Sequence, residues 1–308
     1  MNTIKISRMF VVILAITFSF LFTACIDDVP IDREFNETQK LVLYSRLCPQ
    51  LDTTYIYLTN TKLLYTNTNQ TIHVLYDGVV ELSADGDHWV RATYLPEKEH
   101  FFLTKEEFPV VEGHTYYIRA SYPGFDDVSS SCTVPYSHDV GFRFDTVSAI
   151  GDMHLGEIYN WPHRDVYAEW RDVAGEENYY AIMQKTEIIH YDYGDETTSY
   201  YWTFYPVWMY LNNQDYQCVS DEGYDGALMR FMVREGLPEE GDEYWYDEDD
   251  SEDEYYFLFL DRNCYLYERT LNQDGFDMNF LLLEPVHTYT NIENGFGLFG
   301  AFCMVRVR

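Results

Sequence analysis

Apolar and polar positions in this chain alternate over short stretches, and helical spacing is confined to one segment. Over 115–122, Tyr116, Ile118, Ala120 and Tyr122 take one face, while Tyr117, Arg119 and Ser121 take the other. A period of two marks a half-buried β-strand. Shorter strand-like runs fall at 40–46, 54–59, 79–83, 88–94 and 128–134. Ala84-Asp85-Gly86-Asp87 supplies a hairpin turn between two of them, and Tyr122-Pro123-Gly124 supplies another turn. About seven short strands at this spacing predict a small sandwich of immunoglobulin or fibronectin-III type. The Cys-Trp-Cys spacing of antibody domains is absent, which favours the fibronectin-like form. Pro135 to Asp139 reads as a junction. Beyond it, Phe142, Phe144 and Val147, then Val166, Ala168 and Trp170, begin a second strand-rich region. A long strand is predicted over 179–190, and an edge or bent strand over 200–211, where Pro206 interrupts an aromatic run. One helix is predicted over 262–274. Asp261 caps it, Gly275 ends it, and Cys264, Tyr267 and Leu271 share a face. Strands are expected again over 280–283 and 298–307. The expected fold class is mainly β, with a sandwich over 39–136 and a β-rich domain with one short helix over 137–308.

The first residues break this pattern. Lys5 and Arg8 precede an apolar stretch over 9–22, and Thr23 and Ala24 precede Cys25. That order is a secretory signal, and the stretch is short for a membrane span. Leu21-Phe22-Thr23-Ala24-Cys25 resembles a bacterial lipobox, with Phe22 where an aliphatic residue is usual. The resemblance implies cleavage before Cys25, lipidation of its thiol, and a durable acyl anchor. Residues 1–24 are then the signal peptide. Residues 25–38, with Asp27, Asp28, Asp32 and Glu34, form a flexible tether. An acidic cluster at this place also resembles a surface-export signal.

Fifty-two acidic residues face twenty basic ones, a net charge of −32. Such a surface repels phosphate backbones, so no nucleic-acid partner is expected. The 29 Tyr, 20 Phe and 6 Trp are read chiefly as sheet residues. Residues 236–254 contain a dense acidic run without a basic interruption, which predicts an exposed loop. Asp247, Asp249 and Asp250 are its first candidates for a cation, although the run lacks the alternating ligands and central glycine of an EF-hand. Of the six cysteines, Cys25 is assigned to lipid. Cys48 and Cys132, at the ends of the first domain's first and last strands, are candidates for a disulfide.

No motif carries catalysis. Gly295-Phe296-Gly297-Leu298-Phe299-Gly300 fits a dinucleotide fingerprint, yet too little chain follows for the required helix, and a tight bend before a final strand is expected instead. His154 and His163 with Asp165 lack zincin spacing, and there is no G-x-S-x-G elbow. The reading is therefore non-enzymatic and without cofactor. Candidate ligand contacts are Trp202, Tyr205 and Trp208 in the aromatic run, and Tyr244, Trp245 and Tyr246 in the acidic loop.

Several segments together resemble the Bacteroidota lipoproteins grouped as domain-of-unknown-function family 4249. They are Lys40-Leu41-Val42-Leu43; Val111-Glu112-Gly113-His114-Thr115-Tyr116-Tyr117-Ile118; Trp170-Arg171-Asp172 with Glu177-Asn178-Tyr179-Tyr180; and Asn291-Ile292-Glu293-Asn294 running into the glycine motif. The resemblance covers the chain after Cys25. It implies an outer-membrane, surface-exposed accessory lipoprotein that captures or delivers a ligand with a TonB-dependent transporter. A structural or adhesive surface protein without a small-molecule ligand is the alternative, and a hydrolase the second alternative.

Overall fold

The computed structural model describes residues 39–61, 74–155, 159–192, 197–211, 214–236, 254–271 and 288–307. In chain order the first strands are β1 (Leu41–Leu47), β2 (Thr53–Asn60), β3 (Val79–Ser83), β4 (Trp89–Arg91), β5 (Thr93–Leu95), β6 (His100–Thr104), β7 (Thr115–Ser121) and β8 (Val128–Thr133). They are followed by β9 (Arg143–Leu155), β10 (Tyr159–Arg171), β11 (Tyr179–Asp192), β12 (Thr197–Pro206), β13 (Met209–Leu211), β14 (Gln214–Tyr216), β15 (Cys218–Ser220), β16 (Leu228–Gly236) and β17 (Glu254–Leu260). Helix α1 (Arg262–Leu271) and β18 (Phe296–Arg306) complete the described elements. The protein is mainly β, with one helix among the described residues.

Three sheets share one core. The largest runs β12-β11-β17-β18-β1-β2-β6-β5, with β15 added on β11. The second runs β4-β3-β7-β8 and the third β14-β13-β16-β10-β9. Leu41, Leu43, Ile56 and Leu58 of the large sheet pack in one cluster with Val80, Leu82, Ile118 and Ala120 of the second, a sandwich-like arrangement. Alternation along β1 and β7 explains it, since every second residue of each is buried. Tyr116 secures this layer: its hydroxyl accepts the Val111 N–H at 2.8 Å and donates to the Pro109 carbonyl at 3.1 Å. The third sheet covers another part of the same face. Trp170 stacks on Phe231 at 5.4 Å and meets Phe257 and Tyr180 edge-on.

β17 is apolar on both faces because both are covered. Phe257 and Phe259 enter the shared core, whereas Leu258 and Leu260 pack with Cys264 and Leu298 beneath α1. The helix starts where expected: Asp261 Oδ1 accepts the Cys264 N–H at 2.7 Å. Its described part ends at Leu271. Gly275 and the strand expected over 280–283 lie outside the described residues.

Three features go beyond the sequence expectations. The run over 88–94 is split between two sheets, with the Ala92 N–H donating to the Val80 carbonyl at 2.9 Å at the crossing. The glycine motif straddles the entry to β18: Asn294 and Gly295 make the bend expected ahead of the strand, and Phe296 to Gly300 lie within it. Gly297 has φ +114°, and a Cβ there would stand 2.0 Å from the Leu43 carbonyl oxygen. The glycine is required by the close approach of β18 to β1. Finally, β1 and β18 pair in parallel, from Val42 opposite Phe296 to Leu47 opposite Ala301. The boundary expected at 136–137 falls between β8 and β9, and the large sheet draws strands from both sides of it.

Candidate functional site

A cleft of about 560 Å³ opens where the third sheet and the large sheet separate. The chain builds it by changing sheets. β13 and β14 form a short hairpin, with Met209 opposite Tyr216. One residue later β15 joins the large sheet, with Tyr179 opposite Ser220. Gln217 spans the gap. Phe231 of β16 lines the cleft from the third sheet, and Tyr265 and Arg269 line it from α1. These two helical residues are four apart and so share a face. The volume falls in the range of small-molecule sites, and the open lining sets four rings, Tyr216, Tyr224, Phe231 and Tyr265, among about as much polar surface.

The rings are held from behind. Tyr265 stacks on Tyr179 at 4.5 Å, and the Arg269 guanidinium donates to the Tyr265 hydroxyl at 3.4 Å. Tyr216 meets Phe231 edge-on and donates to Gln214 Oε1 at 2.5 Å. Asp221 accepts the Asn178 N–H through Oδ2 at 3.0 Å, anchoring the loop that carries Glu222 and Tyr224. Burial pushes the Cys218 thiol up to about 12, so it is a neutral thiol near pH 7 and not a thiolate nucleophile. Its Sγ contacts the Tyr265 carbonyl oxygen at 3.8 Å. Among the described residues Arg269 is the one cation lining the cleft, and the carboxylates Asp215 and Glu222 line it too. This set can stack a planar or CH-rich face on tyrosine. It can also pair ligand oxygens with the guanidinium and donate or accept through Gln214, Gln217 and Ser220.

The sequence-predicted contacts lie elsewhere. Tyr205 is 48% exposed and Trp208 is 36% exposed, and neither lines the cleft. Trp202 sits in β12 opposite Glu187. Tyr244, Trp245 and Tyr246, the cation candidates Asp247, Asp249 and Asp250, and the lipidation candidate Cys25 lie outside the described residues. Among the described residues, no three His, Cys, Asp or Glu side chains are grouped to hold a metal ion. Cys48 and Cys132 are both free, buried thiols. Sequence reasoning missed the cleft because its residues come from three separated segments. The local signal was the tyrosine-and-glycine turn from Asp221 to Gly226, where Gly223 and Gly226 both have positive φ.

A family model described as Domain of unknown function (DUF4249) matches residues 26–306. No curated protein matches the sequence.

Proposed function

This chain belongs to the DUF4249 family, and from that premise we propose that it is a lipid-anchored binding protein of a bacterial outer membrane. In this reading it faces outward, holds a small ligand in the Tyr265–Arg269 cleft and delivers it to a TonB-dependent transporter. The cleft carries the proposal. Its volume, its tyrosine and phenylalanine rings and its guanidinium suit ligand capture better than adhesion, which needs no cavity. The basic, apolar, small-residue order ahead of Cys25 supports the anchor, and the acidic residues behind it support surface export.

Titration calorimetry with neutral saccharides, short peptides and carboxylates tests the cleft. At least one class is expected to bind, with Tyr265→Ala and Arg269→Ala each weakening it by about tenfold or more. Binding indifferent to both substitutions, or no binding by any class, refutes the cleft as the site. Mass spectrometry of the chain from its native envelope should find a diacylglyceryl-modified Cys25 at the N-terminus. A chain retaining residues 1–24 refutes the anchor. A native-membrane pull-down without a TonB-dependent transporter refutes the delivery partner.

A further inference from the structure

The five described cysteines are free and buried, and they fall into separate neighbourhoods. Cys218 lies against the Tyr265 carbonyl. Cys132 and Cys264 share the surroundings of Asp261. Cys48 and Cys303 form the remaining group, and the fold itself brings them together. Cys48 follows β1 directly and Cys303 lies in β18, and these strands pair in parallel up to Leu47 opposite Ala301. The two cysteines stand one and two residues past that rung. A one-residue offset in a continued ladder would send the two side chains to opposite faces, but β1 ends at Leu47, and the turn after it, closed by the Leu51 N–H on the Cys48 carbonyl at 3.3 Å, takes Cys48 out of the ladder.

The side chains converge on one amide. Gln50 Oε1 accepts the Cys48 Sγ–H at 3.2 Å and the Met304 N–H at 3.2 Å. The Cys303 thiol lies beside the same Gln50 side chain and beside Glu112. Cys48 is in turn within hydrogen-bond reach of the Met304 N–H, one residue past Cys303. Cys303 Sγ donates to the Pro135 carbonyl at 3.1 Å, so it faces the junction between the two halves of the chain.

We propose that Cys48 and Cys303 form a disulfide tying the end of the first strand to the last strand when the chain folds in an oxidising compartment. This is not the Cys48–Cys132 pairing expected from strand order. The reaction is thiol–disulfide exchange with a small disulfide oxidant. One cysteine thiolate attacks the oxidant to give a mixed disulfide and release one thiol. The second thiolate displaces the other, so the cysteines lose two electrons and two protons and the oxidant becomes two thiols. In the folded protein burial pushes the Cys48 thiol up to about 11. The bond is therefore made while the strands are still assembling, before the sulfurs are enclosed. The inference rests on the proposed envelope location only for the oxidising compartment.

The test uses the full chain, reduced and unfolded, then refolded in a glutathione buffer containing the oxidised form. Free thiols are alkylated and the protein is digested with trypsin without reduction. The described cysteines fall on separate tryptic peptides: 47–62, 120–143, 186–230, 263–269 and 270–306. The expected product joins 47–62 to 270–306 at a mass about 2 Da below their sum. Recovery of both peptides alkylated, or 47–62 joined to 120–143, overturns the pairing. The same map is then made on protein from native envelopes. A link that forms on refolding but is absent there refutes the envelope location and leaves the pairing standing.

Discussion

Asp261→Asn isolates one buried charge. Asp261 is 9% exposed, and its Oδ1 caps α1 while Oδ2 has no hydrogen-bond partner. Burial pushes the carboxyl up to about 6, against the lowering effect of the Cys264 N–H. In the unfolded chain an Asp titrates near 3.9. Between those values the folded protein binds the extra proton, so stability falls as pH rises through this window. The shift of about 2 units corresponds to about 3 kcal/mol, present in full below about pH 4 and lost above about pH 6. Asn has no such titration. Its amide also changes the local hydrogen bonding, but by an amount that does not vary with pH. The diagnostic quantity is thus the stability of the variant minus that of the wild type, followed across pH. Urea unfolding at pH 5 and pH 7.5 keeps clear of the sequence pI of about 4.3. Over that interval the difference should move in the variant's favour by roughly 1.4 kcal/mol. A difference that stays flat, or moves the other way, refutes the argument that this carboxylate is enclosed without a partner for Oδ2.

Trp170→Ala should cost about 3–5 kcal/mol, read as a lower urea midpoint, because the ring is fully buried between two sheets and contacts Phe231, Phe257 and Tyr180. Gly297→Ala should cost roughly 3 kcal/mol or more. The added Cβ meets the Leu43 carbonyl, and φ is +114°; limited proteolysis should show β18 released from β1.

Strands with one solvated face were legible, because alternation is a local property. β7 was read to within a residue, and Asp261 announced the start of α1. What depended on distant partners was not legible. β6 carries the apolar pair Phe101 and Phe102 in a five-residue strand that alternates weakly, and it was missed. The sheet change at Ala92 leaves no mark in a run that looks continuous. β1 and β18 each read as strands, but their parallel pairing joins residues from opposite ends of the chain. The glycines of β18 were visible as a motif. Their reason, clearance from the Leu43 carbonyl, becomes apparent only once the neighbour is known. The cleft was illegible for the same reason, since Tyr216, Phe231 and Tyr265 belong to elements that meet only in the folded protein. The aromatic runs drew attention because they are contiguous, and contiguity favours an exposed strand over a pocket.

The place of β18 between β1 and β17 also sets a schedule for the growing chain. A polypeptide released from its N-terminus onward can pair β1 with β2, and β11 with β17, long before residue 296 emerges. Both β1 and β17 then keep an open edge towards the missing strand. Open edges recruit foreign strands, and contacts between remote segments form slowly. The hazardous interval is therefore the last stage of synthesis or export. Chains stalled before β18 should aggregate through those two edges, and those that complete it close both at once.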